Sequence, residues 1–236
     1  MHPAAMVAAF LDRQLDVVAI SDHNASDNVA CLARCAAGTP LTIIPGMEVT
    51  TQEEVHILAL FERLDILREF ERYIFSAVHV DREHALPGAQ SIVDEHGTVL
   101  GRKQRSLMQP APFSIKALTG HIHARGGLAV ASHVDRAYFS VLGQLGAVPD
   151  DAEFDALEVS AACGIAQGRN RYPELAHYAF ITSSDAHCLG DIGRSYTRIR
   201  MARPSLAELL QAIDFAISRD YPARGEMTLP IVRAAE

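Results

Sequence analysis

The chain has 236 residues, 49% of them hydrophobic, enough for one large domain or two small ones with a real core, which excludes disorder and collagen-like repetition. No apolar run approaches the roughly 20 residues that span a bilayer, and no basic segment leads into an apolar signal core, so a cytoplasmic protein without a membrane partner is expected. The 29 acidic and 21 basic residues give a formal charge of −8, which argues against broad contact with a nucleic acid backbone. Four cysteines (Cys31, Cys35, Cys163, Cys188) lack CxxC spacing and read as reduced thiols. Eleven histidines beside several carboxylates, with no tryptophan, raise the expectation of a metal site.

Apolar β-branched runs alternate with amphipathic stretches, the pattern of βα units around a parallel sheet. Residues 3–14 read as a helix with Met6, Val7, Phe10 and Leu11 in its buried stripe. DVVAI (16–20) is the first strand, Asp27 caps a helix running to about Ala37, and LTIIPGMEVT and VHILALF are two strands close together in sequence. Residues 62–76 are helical. From about 79 to 112 the sequence turns polar and Gly/Pro-punctuated, with a hairpin at His96-Gly97, and reads as a rim or lid element inserted into a single domain spanning 1–236. The regular pattern then returns: a helix from Ser114 to about Arg125, strands at LAVAS, DALEVS, AFITSS and SYTRIRM, and a final helix from Ser205. About seven strands suit a closed α/β barrel better than an open doubly wound sheet.

The chemistry gathers at strand ends, where α/β folds place ligand-binding groups. DVVAI runs into Asp22-His23-Asn24, IIPGM into Glu48, LAVAS into His133, and AFITSS into Asp185 and His187, while VHILAL begins with His56. Alternation puts Asp185 and His187 on one face of an extended segment and separates Asp22 from His23, so one of that pair binds metal and the other supports it. Carboxylates beside apolar strands are costly to bury, which favours a shared cation; a set of structural ion pairs is the alternative. His121 and His123, two apart on a helix, face different ways and are assigned to structure, as are Cys31 and Cys35 on one helix face. His79, His84 and His96 are expected in solvent, and His177 at the opposite rim. Arg102, Lys103 and Arg105 are either a clamp for an anion or, the favoured reading, a solvated hairpin face.

The order DVVAISDHN, IPGMEVT, VHILALF, ASHVDR, ITSSDAH over residues 5–201 resembles the polymerase and histidinol phosphatase (PHP) family of metal-dependent phosphoesterases. The resemblance implies a distorted (β/α)7 barrel with up to three divalent ions, manganese, zinc or iron, at its mouth. It makes Glu48 a bridging ligand, with His56 and His133 on one ion, Asp185 on another, His23 and His187 on the third, Asp22 and Asn24 as supports, and Arg136 facing phosphate. The family opens with a His-x-His strand, absent here, so fewer ions, a missing first strand with unpaired neighbouring edges, and a truncated or naturally shortened chain or a misplaced start codon are expected. The implied activity is hydrolysis of a phosphate ester by a metal-activated hydroxide supported by Glu48, Asp185 and His187, on a small phosphorylated substrate such as a phosphomonoester or nucleotide. The alternatives are a noncatalytic binding module and an exonuclease-type phosphodiesterase. The sequence fixes no oligomeric state.

Overall fold

The computed structural model describes residues 1–76, 90–103, 106–218, 227–229 and 231–232. His79, His84 and Arg105, placed in the polar segment by sequence, lie outside the described residues. In chain order the first half comprises α1 (Pro3–Asp12), β1 (Val17–His23), α2 (Val29–Ala36), β2 (Thr42–Thr50), β3 (His56–Leu60) and α3 (Leu64–Ser76). A hairpin follows, β4 (Ser91–Val93) and β5 (Val99–Arg102), then α4 (Ile115–His123), β6 (Leu128–Ala131) and α5 (Val141–Leu145). The remainder is β7 (Ala156–Val159), α6 (Gly164–Arg171), β8 (Ala179–Thr182), β9 (Thr197–Ile199), α7 (Leu206–Ser218), β10 (Met227–Leu229) and β11 (Ile231–Val232). None of the described helices is long and apolar enough to cross a membrane.

Seven strands form one curled, barrel-like sheet in the order β11-β1-β2-β3-β6-β7-β8. The sheet is mixed, not parallel as the βα pattern suggests, because β3 runs against both of its neighbours. The cause is local: only residues 51–55 separate β2 from β3, too few for the crossover a parallel pair requires, and Thr51 closes the turn by exchanging backbone hydrogen bonds with Val55 and Glu54. The reversal matters for the site, since β3 then begins at the rim where β1 and β2 end. β1 itself runs three residues past the expected DVVAI, held in parallel register through His23 opposite Glu48. The free edge expected beside β1 is covered at Ala19 and Ile20 by β11.

Alternation sorts the strand side chains between two cores. Val18, Ile20, Met47, Val49, Ile57, Ala59, Ala129 and Ala131 face the helices on the convex side. Val17, Ala19, Ile44, Leu58, Leu60, Leu128, Val130 and Ala156 face the concave side, where Leu206, Leu209 and Ile213 of α7 pack against them. Gly46 lies within this concave layer because a Cβ there would stand 2.7 Å from Leu60 Cδ2 and 3.0 Å from the Ile20 carbonyl. Further along the same strands the concave positions turn polar: Ser21 and His23, Glu48, His56, Ser132, Glu158. The base of the bowl is apolar and plugged, and its rim carries the chemistry.

The inserted segment divides in two. The β4–β5 hairpin turns at the expected place and leans on α2: Arg34 pairs with Glu95, Asn28 Nδ2 donates to the Ser91 carbonyl at 3.1 Å, and the Val93 N–H donates to Asn28 Oδ1 at 3.1 Å. The flanking stretches reach the rim, through Gln90 before the hairpin and Leu107–Gln109 after it. Two smaller expectations are corrected here. Asp27 does not cap α2, whose N-cap is Asn28 without a side-chain bond; Asp27 instead pairs with Lys103 Nζ at 2.5 Å. Lys103 also meets Glu71 at 2.6 Å, so it is neither a substrate clamp nor a solvated hairpin residue but the centre of a partly buried ion-pair network.

Candidate metal centre

Glu48 is fully buried at the rim of the concave face, and three imidazoles surround its carboxylate. His23 Nδ1 is 3.2 Å from Oε2, His56 Nδ1 is 3.3 Å from Oε1, and His133 Nε2 is 3.8 Å from Oε1. Ring centroids of His23 and His56 lie 5.1 Å apart and those of His56 and His133 5.5 Å. Each arrives from its own element: His23 from the end of β1, Glu48 from β2, His56 from the start of β3, His133 just after β6. Among the described residues, His23, Glu48 and His56 form a set of metal-competent groups whose ligand atoms all fall within 4.8 Å of one another. The resemblance instead implies Glu48, His56 and His133 as the intact group, with His23 on a different ion.

The donor set suits a divalent cation of borderline character: two or three imidazole nitrogens and one carboxylate. His56 provides the structural test. Its Nδ1 faces Glu48 Oε1 at 3.3 Å, while its Nε2 is buried with no hydrogen-bond partner among the described residues, a costly arrangement for a polar ring unless something else satisfies that nitrogen. The ring is held by its surroundings: it stacks on Phe139 at 4.7 Å with planes 12° apart, and its backbone N–H donates to the Phe139 carbonyl at 2.9 Å.

Asp185 and His187 stand across the cleft. Alternation in an extended strand does not describe them, because β8 ends at Thr182 and Asp185 has φ of 46°, in the left-handed region. His187, with 47% of its side chain exposed, donates from Nδ1 to the Asp185 carbonyl at 2.9 Å, which leaves a lone pair on Nε2. Its ring lies 6.3 Å from that of His23. Asp185 Oδ2 is 2.7 Å from Arg136 Nη1, so the arginine expected to face phosphate is drawn onto an acidic residue of the site.

Asp22 and Asn24 both carry hydrogen bonds to the inserted segment. Asp22 accepts from Gln90 Nε2 at 2.5 Å. Asn24, at φ 48°, donates from Nδ2 to the Leu107 and Gln109 carbonyls at 2.7 and 3.0 Å, and its N–H reaches the Glu48 carbonyl at 2.8 Å. It braces the rim loop against the end of β2. His23, His56, Met108, His133, Arg136, Tyr138, Phe139 and His187 share one cleft of about 510 Å³.

The remaining described histidines have structural partners. His121 Nε2 meets Tyr73 Oη at 3.1 Å, and burial lowers its pKa; His123 Nε2 meets Asp155 Oδ2 at 2.9 Å, a hydrogen bond that raises its pKa. His96 contributes its carbonyl to His2 Nε2 at 2.9 Å, and His177 packs on Tyr178. Sequence reasoning missed Glu158 and Phe139. Glu158 carried the signal used for the other acids, a carboxylate within an apolar strand, and Phe139 carried none.

Comparison with known proteins places these features in a family context. A family model described as PHP-associated matches residues 170–216. The protein YqxK of Bacillus subtilis (strain 168) is 31% identical over 185 residues, 73% of this chain and 41% of that protein. The lesion-specific endonuclease PfuEndoQ of Pyrococcus furiosus superposes with a TM-score of 0.62 at 13% identity, over 95% of this chain and 52% of that one. Endonuclease Q in complex with a 27-mer duplex substrate, an abasic lesion at its active site, gives the same score over 94% and 52%. A proposed metal-dependent phosphoesterase from Bifidobacterium adolescentis gives 0.54 at 16% identity, over 80% and 83%. The chain thus spans about two fifths of the length of YqxK and about half that of the endonuclease. These neighbours correct the expected partner: a small phosphorylated molecule in place of extended nucleic acid does not follow when a fold of this shape seats a 27-mer duplex. The error was to read a net charge of −8 as a property of the cleft, whereas binding responds to the local field.

Proposed function

We propose that this chain, a PHP-type protein by its PHP-associated segment and its fold, carries the metal centre of a hydrolase that cleaves phosphodiester bonds in nucleic acid. The observation that carries the reading is the buried Glu48 carboxylate ringed by His23, His56 and His133 at 3.2 to 3.8 Å in an accessible cleft. His23, Glu48 and His56 would hold the first divalent ion, with His133 beside them and Asp185 and His187 supplying donors from the far wall. Manganese, zinc and iron all accept this nitrogen and carboxylate set. Such ions lower the pKa of water towards neutrality and stabilise charge on phosphoryl oxygens.

The chain's own residues do the rest. Phe139 and Met108 line the cleft with apolar surface, which limits water around the reacting phosphate and strengthens each charge interaction there. Arg136, with 44% of its side chain exposed, exchanges Asp185 for a phosphodiester oxygen. His187, half-exposed and lining the cleft, has Nε2 available to hold a proton or a cation according to occupancy. Duplex oligonucleotides with and without an abasic site, a single strand, and bis-p-nitrophenyl phosphate, each incubated with manganese, zinc or iron(II), test the proposal. Metal-dependent strand scission lost in Glu48→Gln supports it. Turnover confined to a phosphomonoester such as p-nitrophenyl phosphate, or no divalent-ion binding by calorimetry, would refute it.

A further inference from the structure

Glu158 is 1% exposed and sits on β7, the strand between those that deliver His133 and Asp185. Its carboxylate is shared by the two loops that follow those neighbouring strands. The His133 N–H donates to Oε2 at 3.1 Å, and the Ser183 hydroxyl donates to Oε1. Ser183 Oγ in turn accepts the Asp185 N–H at 3.3 Å, and the Glu158 carbonyl accepts the Val134 N–H at 2.7 Å. Both loops are held at backbone angles that side chains rarely adopt, with φ of 31° at His133 and 46° at Asp185. Non-glycine residues in that region are strained and persist where the surroundings over-determine them.

A carboxylate is suited to this task and other side chains are not. It offers two acceptor oxygens in a fork and no donor, so it takes one hydrogen bond from each loop at once, and its charge strengthens both. Glutamine has one acceptor, and alanine has none. Burying a charge in an apolar strand is costly, so the residue's presence there points to a task that a neutral side chain performs poorly.

We propose that Glu158 is a positioning residue of the metal centre: by holding the His133 amide and the Ser183–Asp185 turn on one carboxylate, it sets the spacing of the His133 and Asp185 arms. This rests on the metal centre proposed above, and its test is arranged to fail separately. Glu158→Ala, Glu158→Gln and Ser183→Ala are compared by zinc calorimetry and by imidazole NMR of the metal-free protein. Zinc affinity is expected to fall about 10- to 100-fold in Glu158→Ala, the range found when partners of metal ligands are removed, and less in Glu158→Gln. The His133 resonances are expected to move in all three variants while those of His2 stay in place. Should Glu158→Ala not fold, Glu158→Gln and Ser183→Ala carry the comparison. A lowered melting temperature with His133 signals unmoved and zinc affinity unchanged would reduce Glu158 to a structural residue and overturn the proposal. If the wild-type chain binds no zinc, the metal centre itself fails, and the metal-free His133 signals still decide whether Glu158 positions that residue.

Discussion

Replacing Glu48 by glutamine separates function from stability because the two effects have opposite signs. The side chain is fully buried and keeps its shape in the variant, so no cavity opens. Four-ligand zinc sites contribute about 10–16 kcal/mol, so roughly 3 kcal/mol per ligand, and 1.4 kcal/mol per decade makes the expected loss about a hundredfold in zinc affinity. The metal-free protein should respond the other way. A buried carboxylate carries a desolvation cost of several kcal/mol, which a glutamine of the same shape does not carry. Both arms are measured at pH 8. At about 2–4 °C per kcal/mol for a chain of this size, the metal-free variant should melt at the wild-type temperature or several degrees above it. Calorimetric zinc titration and thermal unfolding in chelator measure the two arms. Unchanged affinity, or a metal-free variant destabilised by more than about 2 kcal/mol, would refute the reasoning, the second because it would make Glu48 a structural ion-pair partner.

Three further outcomes follow from single contacts. Arg136→Ala should weaken binding of a phosphodiester oligonucleotide and flatten its salt dependence by about one unit of slope, with zinc affinity close to wild type; an unchanged salt slope would remove Arg136 from the phosphate path. The His123–Asp155 hydrogen bond raises the His123 pKa, so its contribution is fully present below the ordinary histidine value near 6.5 and is lost as pH rises through the raised folded value. His123→Ala should therefore cost about 0.2–1 kcal/mol more at pH 5.5 than at pH 9 in denaturant titrations, and an equal cost at both would contradict the assignment. Burial, aided by Cys35, pushes the Cys31 thiol up to about 11, whereas Cys188 is exposed. Iodoacetamide mapping at pH 7.5 should label Cys188 well before Cys31, and the reverse order would place the Cys31 helix face in solvent.

Legibility in the sequence tracked backbone regularity. Where strands are regular, the rule that α/β strands carry ligand-binding groups at one end picked out His23, Glu48 and His56, which the structure brings together, and the short link between β2 and β3 carried enough information to put His56 at the rim where β1 and β2 end. Where the chain leaves regular structure, alternation lost its meaning. Asp185 and His133 adopt left-handed angles without a glycine to announce them, so the relation of Asp185 to His187 leaves no trace in the residue pattern. Lys103 read as a hairpin surface residue because its partners, Asp27 and Glu71, lie 76 and 32 positions away. Long-range pairing of that kind leaves no local periodicity. Glu158 is different, since the argument that picked out Glu48 applied to it equally; what hid it was the absence of a histidine nearby in sequence.

The division of the concave face into an apolar base and a polar rim implies that stability and metal binding are separable. Leu209 of α7 is 1% exposed and packs with Leu58, Leu60 and Val130 below the site, whereas the rim residues are set by β1–β2 register and by the β2–β3 turn. Leu209→Ala should therefore destabilise the fold by about 2–5 kcal/mol, the range for buried leucine truncation. The melting temperature would drop by roughly 4–20 °C. In the fraction that remains folded, zinc affinity should stay within about threefold of wild type, because strand pairing and not α7 spaces His23, Glu48 and His56. Equilibrium unfolding followed by zinc titration well below the transition measures both. An affinity loss of a hundredfold in fully folded protein would mean that the helix packed into the bowl also tensions its rim, and the separation between base and rim would have to be abandoned.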